Sequence, residues 1–184
     1  MTRVHFGRVG NSIILNICTV NVNSICNKVN YLYNLILGYD LRIVSVSETW
    51  LTEDCSSSLV RIPDFEFFRG DVLGGVRKHG AGLYVHKGLQ CLELDTTIPN
   101  VVAVKLLELD IYLVSIYRPP SNSADENNAL IAFLIEFTYG REVIILGDFN
   151  LPSLTWPIEI NWSSYNRPVD REFMDAFSQC GLSE

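Results

Sequence analysis

The stretch "REVIILGDFNLP", residues 141–152, sets four large apolar residues, Val143–Leu146, directly against Gly147-Asp148-Phe149-Asn150. A short apolar, β-branched run of this kind reads as a buried strand. Ending it in an acid and an amide raises the question of what those groups are for. Side chains alternate along a strand, so Asp148 and Asn150 are expected to share one face while Phe149 turns into the core. Taken singly, an Asp or Asn after a strand is as readily a turn residue that bonds local backbone.

The same event recurs upstream. "SIILNICTV" (12–20) reads as a buried strand and leads into Asn21, "LRIVSVS" (41–47) leads into Glu48, and "IYLVSIY" (111–117) ends at Tyr117 with Arg118 next. Each position has an ordinary alternative: Asn21 and Asn23 as turn formers, Glu48 as a helix-start or solvent-facing acid, Tyr117 as a core ring with a wet hydroxyl. Four polar strand ends together are better explained as a polar floor built on a rigid apolar support.

Outward from these ends, element types alternate. "CNKVNYLYNLIL" (26–37) places Val29, Leu32, Tyr33 and Ile36 at helical spacing, with Gly38 as the expected stop. "FEFFR", "AGLYVHKG" and "LQCLEL" read as short strands, and residues 100–117 as a hairpin turned at Glu108–Asp110. "ADENNALIAFLIEFTY" (124–139) opens with acids suited to a helix N-terminus and carries Leu130, Phe133, Leu134 and Phe137 on one face. A last short helix is expected around "DREFMDAFSQCG" (170–181). The fold class is α/β, and the several antiparallel neighbours favour a two-layer β-sandwich flanked by helices over a doubly wound nucleotide fold.

At 184 residues and 48% apolar, the chain fits a single domain over 1–184 with a substantial core. Its net charge of −7 is uneven: residues 1–92 carry nine basic and seven acidic side chains, residues 93–184 five and fourteen. If the protein touches nucleic acid, the acidic half needs a cation or distance from the phosphates. The five cysteines are odd in number and form no C-x-x-C pair, which argues against zinc-ribbon and redox motifs and for a reducing compartment, nuclear or cytoplasmic. No run reaches the ~18 apolar residues of a membrane span, so no membrane partner is expected. The glycines of "GGVRKHGAG" form neither a Walker loop nor a dinucleotide fingerprint, so no small organic cofactor is expected.

These residues also carry a resemblance. "NVNSICNK", "VSVSETWL", "GAGLYVHKGL", "VSIYRPPSNS" and "VIILGDFNLP" occur in the order and approximate spacing seen in the endonuclease domain of LINE-type, non-LTR retrotransposons. The chain is similar to the branch with ETWL and YRPP, within the endonuclease/exonuclease/phosphatase superfamily (a DNase I-like fold), from about Leu15 onward. The resemblance implies that Glu48 binds a catalytic Mg²⁺ or Mn²⁺ with Asn21 beside it. It implies that Asp148 orients or deprotonates the attacking water, that Asn150 holds the phosphate or that water, and that Tyr117 contacts the scissile phosphate. The chemistry suits these residue types. A phosphodiester repels hydroxide until a hard cation on oxygen ligands offsets its charge, and an uncharged Asn approaches phosphate oxygens where a second Glu would be repelled.

DNA is the partner expected, with a reverse transcriptase domain in the same polyprotein. The segment 69–88 clusters Arg69, Arg77, Lys78, His79, His86 and Lys87 against a lone Asp71, which suits a loop along a DNA backbone, or a solvated hairpin. With Arg118 beside Tyr117, the DNA-facing candidates are Arg69, Arg77, Lys78 and Arg118. Trp156 and Trp162 could stack on bases, although packing of a Pro-rich loop is the commoner use of such rings.

Family members continue past the GDFN motif to a Ser-Asp-His segment. Here 34 residues follow Asn150 and none is His, and Asp170 and Asp175 fall on the last helix instead of standing in for it. The expectation is therefore a domain incomplete at its C-terminus, its last strands missing, with impaired nicking. A catalytically inactive retrotransposon-derived remnant, acting at most as a binding module, is the competing reading. A phosphatase on small phosphate esters would use the same floor.

Overall fold

The computed structural model describes residues 2–8, 11–71, 79–152 and 167–182. Nine strands and three helices lie among them: β1 Thr2–Arg8, β2 Asn11–Asn21, α1 Val29–Tyr39, β3 Ile43–Ser47, β4 Phe65–Gly70, β5 Ala81–His86, β6 Cys91–Leu94, β7 Val101–Leu106, β8 Ile111–Tyr117, α2 Ala124–Thr138, β9 Val143–Asp148 and α3 Pro168–Gln179. The chain divides into two compact units, Met1–Tyr117 with Val143–Asp148, and Arg118–Glu142 with Phe149–Glu184.

The first unit holds two mixed sheets, one ordered β1-β2-β3-β5-β4 and the other β6-β7-β8-β9. Most pairings are antiparallel, as expected, but β2 with β3 and β8 with β9 are parallel. β3 is buried on both faces because it lies inside its sheet between two cores. Val44 and Val46 pack with Leu32 and Ile36 of α1, and Ile43 packs with Leu15, Leu83 and, from the other sheet, Val104 and Leu113. Between the sheets the hydroxyls of Ser45 and Ser115 lie 2.7 Å apart, and Ser115 also donates to the Gly82 carbonyl, so a buried polar pair is satisfied where two apolar faces meet.

Three expectations need correction. Gly38 lies inside α1, not at its end: the helix stops at Asp40, whose left-handed backbone (φ +49°) lets its N–H and that of Leu41 both return to the Ile36 carbonyl. Tyr33 belongs to the exposed side of that helix, and the buried face is Leu32 and Ile36. β9, read as a deep strand, is half-buried along its whole length, because it is the outermost strand of its sheet among the described residues.

The second unit packs α2 against α3. Ser123 and Glu126 form a reciprocal capping box at the start of α2, and Leu130 and Leu134 form its buried stripe, with Phe133 and Phe137 half-buried. Phe149 stacks edge-on against Phe173 and Phe177 of α3. Trp156 and Trp162 lie outside the described residues.

Candidate active site

A parallel pair of strands brings two C-terminal ends to the same edge. The β2–β3 pairing runs to Asn21 opposite Ser47, with Glu48 next, and the β8–β9 pairing runs to Tyr117 opposite Asp148. Sequence shows four polar strand ends; the two parallel pairings are what gather them.

The loops after β2 and β3 are laced together. The Val22, Ser24 and Ile25 N–H groups donate to the carbonyls of Ser47, Glu48 and Thr49 at 3.0, 2.9 and 3.0 Å. The route demands left-handed backbone at Asn23, Ser24, Glu48 and Trp50, a conformation that costs non-glycine residues on the order of 1–3 kcal/mol each and gathers at functional sites. Because Glu48 sits past the strand with φ +56°, its direction is set by this loop and not by strand alternation.

The side chains meet at one amide. Asn21 Nδ2 donates to Glu48 Oε1 at 2.8 Å and, more weakly, to Asp148 Oδ2 at 3.4 Å, while Asn21 Oδ1 accepts the Asn23 N–H at 3.1 Å. Asn21 thus turns its nitrogen, not its oxygen, toward the two carboxylates. Tyr117 donates its O–H to Glu48 Oε1 at 3.3 Å. Burial first, then the charge of Glu48 beside it, pushes the Tyr117 phenol up to about 12, so it stays protonated through the physiological range.

Two oxygen-donor carboxylates held at one amide suit a hard divalent cation such as Mg²⁺ or Mn²⁺. Among the described residues the hydrogen-bond partners of Glu48, Asn21 and Tyr117, are both neutral. No cluster of three or more His, Cys, Asp or Glu occurs among the described residues; the set here is two carboxylates with an amide.

Asn150 belongs to the second unit. β9 stops at Asp148, and Asn150 has a left-handed backbone (φ +49°), so the two-residue alternation expected for Asp148 and Asn150 does not extend that far. There Asn150 Nδ2 donates to the Arg118 carbonyl at 3.0 Å. Arg118 is buried and committed within the same unit: it donates to Asn127 Oδ1 and to the Phe149 carbonyl, and its guanidinium lies over the Phe173 ring. Arg69 is committed in a similar way in the first unit, to the carbonyls of Thr52 and Cys55, the Ser57 hydroxyl and the Asp71 carboxylate. Arg77 and Lys78 lie outside the described residues. Of the acids on α3, Asp170 is fully buried and bonds Arg167 in the first turn, and Asp175 is exposed.

Two further residues border these strand ends. The His79 ring lies 6.0 Å from that of Tyr117, and Asn100 bonds both Gly80 and Tyr117. In the sequence His79 is a member of the basic loop and, of the three histidines, the first candidate should another residue take the role of the missing Ser-Asp-His histidine. Asn100, after Pro99 and before a strand, looks like any turn residue.

A family model described as endonuclease-reverse transcriptase matches residues 111–184. Among solved structures, the chain is similar to an AP endonuclease from Leishmania major (14% identity, TM-score 0.65, covering 89% of this chain and 65% of that one). It is also similar to an AP endonuclease from Archaeoglobus fulgidus (12%, 0.60, covering 89% and 70%). A 3′ phosphatase from Neisseria bound to a product DNA hairpin is a third such structure (13%, 0.64, covering 89% and 70%). At these identities the likeness is one of fold, and the chain spans about two thirds of their length. No curated protein matches it by sequence.

Proposed function

We propose that this chain is a member of the endonuclease/exonuclease/phosphatase superfamily and a divalent-metal-dependent DNA endonuclease that nicks target DNA for a LINE-type retrotransposon, in a polyprotein that also carries a reverse transcriptase. One observation carries the reading: the Glu48 and Asp148 carboxylates, from different sheets, share the Asn21 amide nitrogen at 2.8 and 3.4 Å. The match of residues 111–184 to an endonuclease-reverse transcriptase model supports it.

In this reading Glu48 would hold a Mg²⁺ or Mn²⁺ ion, with Asn21 fixing the carboxylate beside it. When bound, the cation offsets the negative charge of the phosphodiester and of its transition state. Asp148 orients the attacking water and accepts its proton. Tyr117, kept as a phenol by its surroundings, donates to a phosphate oxygen.

The test is nicking of supercoiled plasmid with Mg²⁺ or Mn²⁺. Glu48→Gln and Asp148→Asn should each lower the rate by about 10²–10³, the size typical of such electrostatic groups. In a Mn²⁺ titration Glu48→Ala should bind more weakly than Asp125→Ala, which removes an exposed acid from the first turn of α2. Nicking indifferent to both carboxylates would overturn the proposal.

A further inference from the structure

The two residues that meet at Glu48 Oε1 come from different sheets, Asn21 from the end of β2 and Tyr117 from the end of β8. Hydrogen bonds inside either sheet cannot fix the distance between them. The link runs through a short relay of main-chain bonds with one side chain in it. Beside Glu48, the Thr49 and Trp50 N–H groups donate to the Gly80 and His79 carbonyls at 3.3 and 2.9 Å. The Gly80 N–H donates to Asn100 Oδ1 at 2.8 Å, and the Asn100 carbonyl accepts the Tyr117 N–H at 3.0 Å.

Asn100 is buried, 5% exposed, and sits in left-handed backbone at φ +59°, a conformation Asn tolerates better than most residues. With its side-chain oxygen on one sheet and its carbonyl on the other, it bridges the loop that carries Glu48 to the strand end that carries Tyr117. The relay leaves little room to adjust. A Cβ at Gly80 would lie 2.2 Å from Thr49 Oγ1, and φ there is +105°, so the backbone of residue 80 is pressed against the Glu48 loop.

We infer that Asn100 is a positioning residue of this site, holding Tyr117 in register with Glu48 across the two sheets. It acts through Tyr117 and touches neither substrate nor cation. The inference rests on the function proposed above. It adds to it a residue whose side-chain chemistry, an acceptor on a left-handed backbone, is met by Asn and Asp and not by the aliphatic residues common before a strand.

The experiment compares Asn100→Gly, which keeps the left-handed backbone and removes the acceptor, with Asn100→Asp, which keeps both. Two readouts are followed at neutral pH and well below the melting temperature: the nicking kinetics, and the ¹³Cζ resonance of Tyr117, assigned by its loss in Tyr117→Phe. Asn100→Gly should shift the resonance and lower kcat by about 10–100-fold with KM for DNA little changed, since misplacement of about 1 Å costs on that order. Asn100→Asp should restore both, and Asn100→Gly added to Tyr117→Phe should lower kcat no further than Tyr117→Phe alone. If Asn100→Gly lowers only the melting temperature, or moves the resonance without moving kcat, Asn100 is a structural residue and the inference is overturned. If Asn100→Gly moves the resonance while wild type fails to nick, or nicks regardless of Glu48 and Asp148, the proposed function falls instead, and the positioning role in catalysis with it.

Discussion

Gly147, the first residue of the GDFN motif, shows how closely the site constrains a single position. Its φ is +132°, and a Cβ placed there would lie 1.8 Å from the Ile116 carbonyl oxygen, on the strand that delivers Tyr117. Only glycine lets β9 approach β8 closely enough to set Asp148 opposite Tyr117. Gly38 makes the opposite case: it is the last residue but one of α1, exposed, with nothing within 4 Å of where a Cβ would be. The two glycines should therefore respond in opposite directions to alanine. Gly147→Ala adds backbone strain of about 1–3 kcal/mol before any clash is counted, and Gly38→Ala should gain about 0.5–1 kcal/mol from helix propensity. Urea midpoints that move the same way in both variants would contradict this.

Among the elements, α2 is the one whose start is fully encoded locally. Ser123 accepts the Glu126 N–H at 3.2 Å, and Glu126 Oε2 accepts the Ser123 N–H at 2.7 Å, so two donors that the first turn leaves orphaned are satisfied reciprocally. Ser123→Ala should cost about 1 kcal/mol, read from the denaturant midpoint of the unit that contains α2 and α3. Ser123→Asp, which keeps the acceptor, should recover most of it. Neither α1 nor α3 has a cap residue, Lys28 or Arg167, whose side chain caps the backbone of the first turn. α1 is instead fixed by burying Leu32 and Ile36, so the apolar spacing reveals the helix while Gly38 does not mark its end.

At the scale of the whole molecule, two buried phenols tie stability to alkaline pH. Burial pushes Tyr84 upward while its O–H donates to the Val60 carbonyl at 2.6 Å, and Tyr117 is pushed up to about 12. Both folded values lie above the ordinary tyrosine value of 10.0. The folded chain therefore keeps protons that the unfolded chain loses. The stability they confer is fully present below pH 10 and falls as pH rises through about 12, by up to ~1.4 kcal/mol per pH unit for each group. Tyr84→Phe should flatten that decline, measured as the urea unfolding free energy between pH 8 and 11.5. A profile identical to wild type would exclude Tyr84 as a source.

The sequence by itself determined the α/β class, nearly every strand, and the residue types of the site, because alternation, helical spacing and turn residues are local properties that a short window contains. It also determined that Asn21, Glu48, Tyr117 and Asp148 stand at strand ends. What only the tertiary structure decided is how those ends meet. The parallel pairing of β2 with β3 and β8 with β9 joins segments that are not adjacent in the chain, and Asn21 and Asp148 are 127 residues apart when they share a hydrogen bond. The same holds for the direction of Glu48, set by a left-handed loop, for the commitment of Arg69 and Arg118 to protein carbonyls, and for Asn100. Each of these depends on which distant backbone group lies within hydrogen-bond reach, and that distance exists only once the sheets have packed.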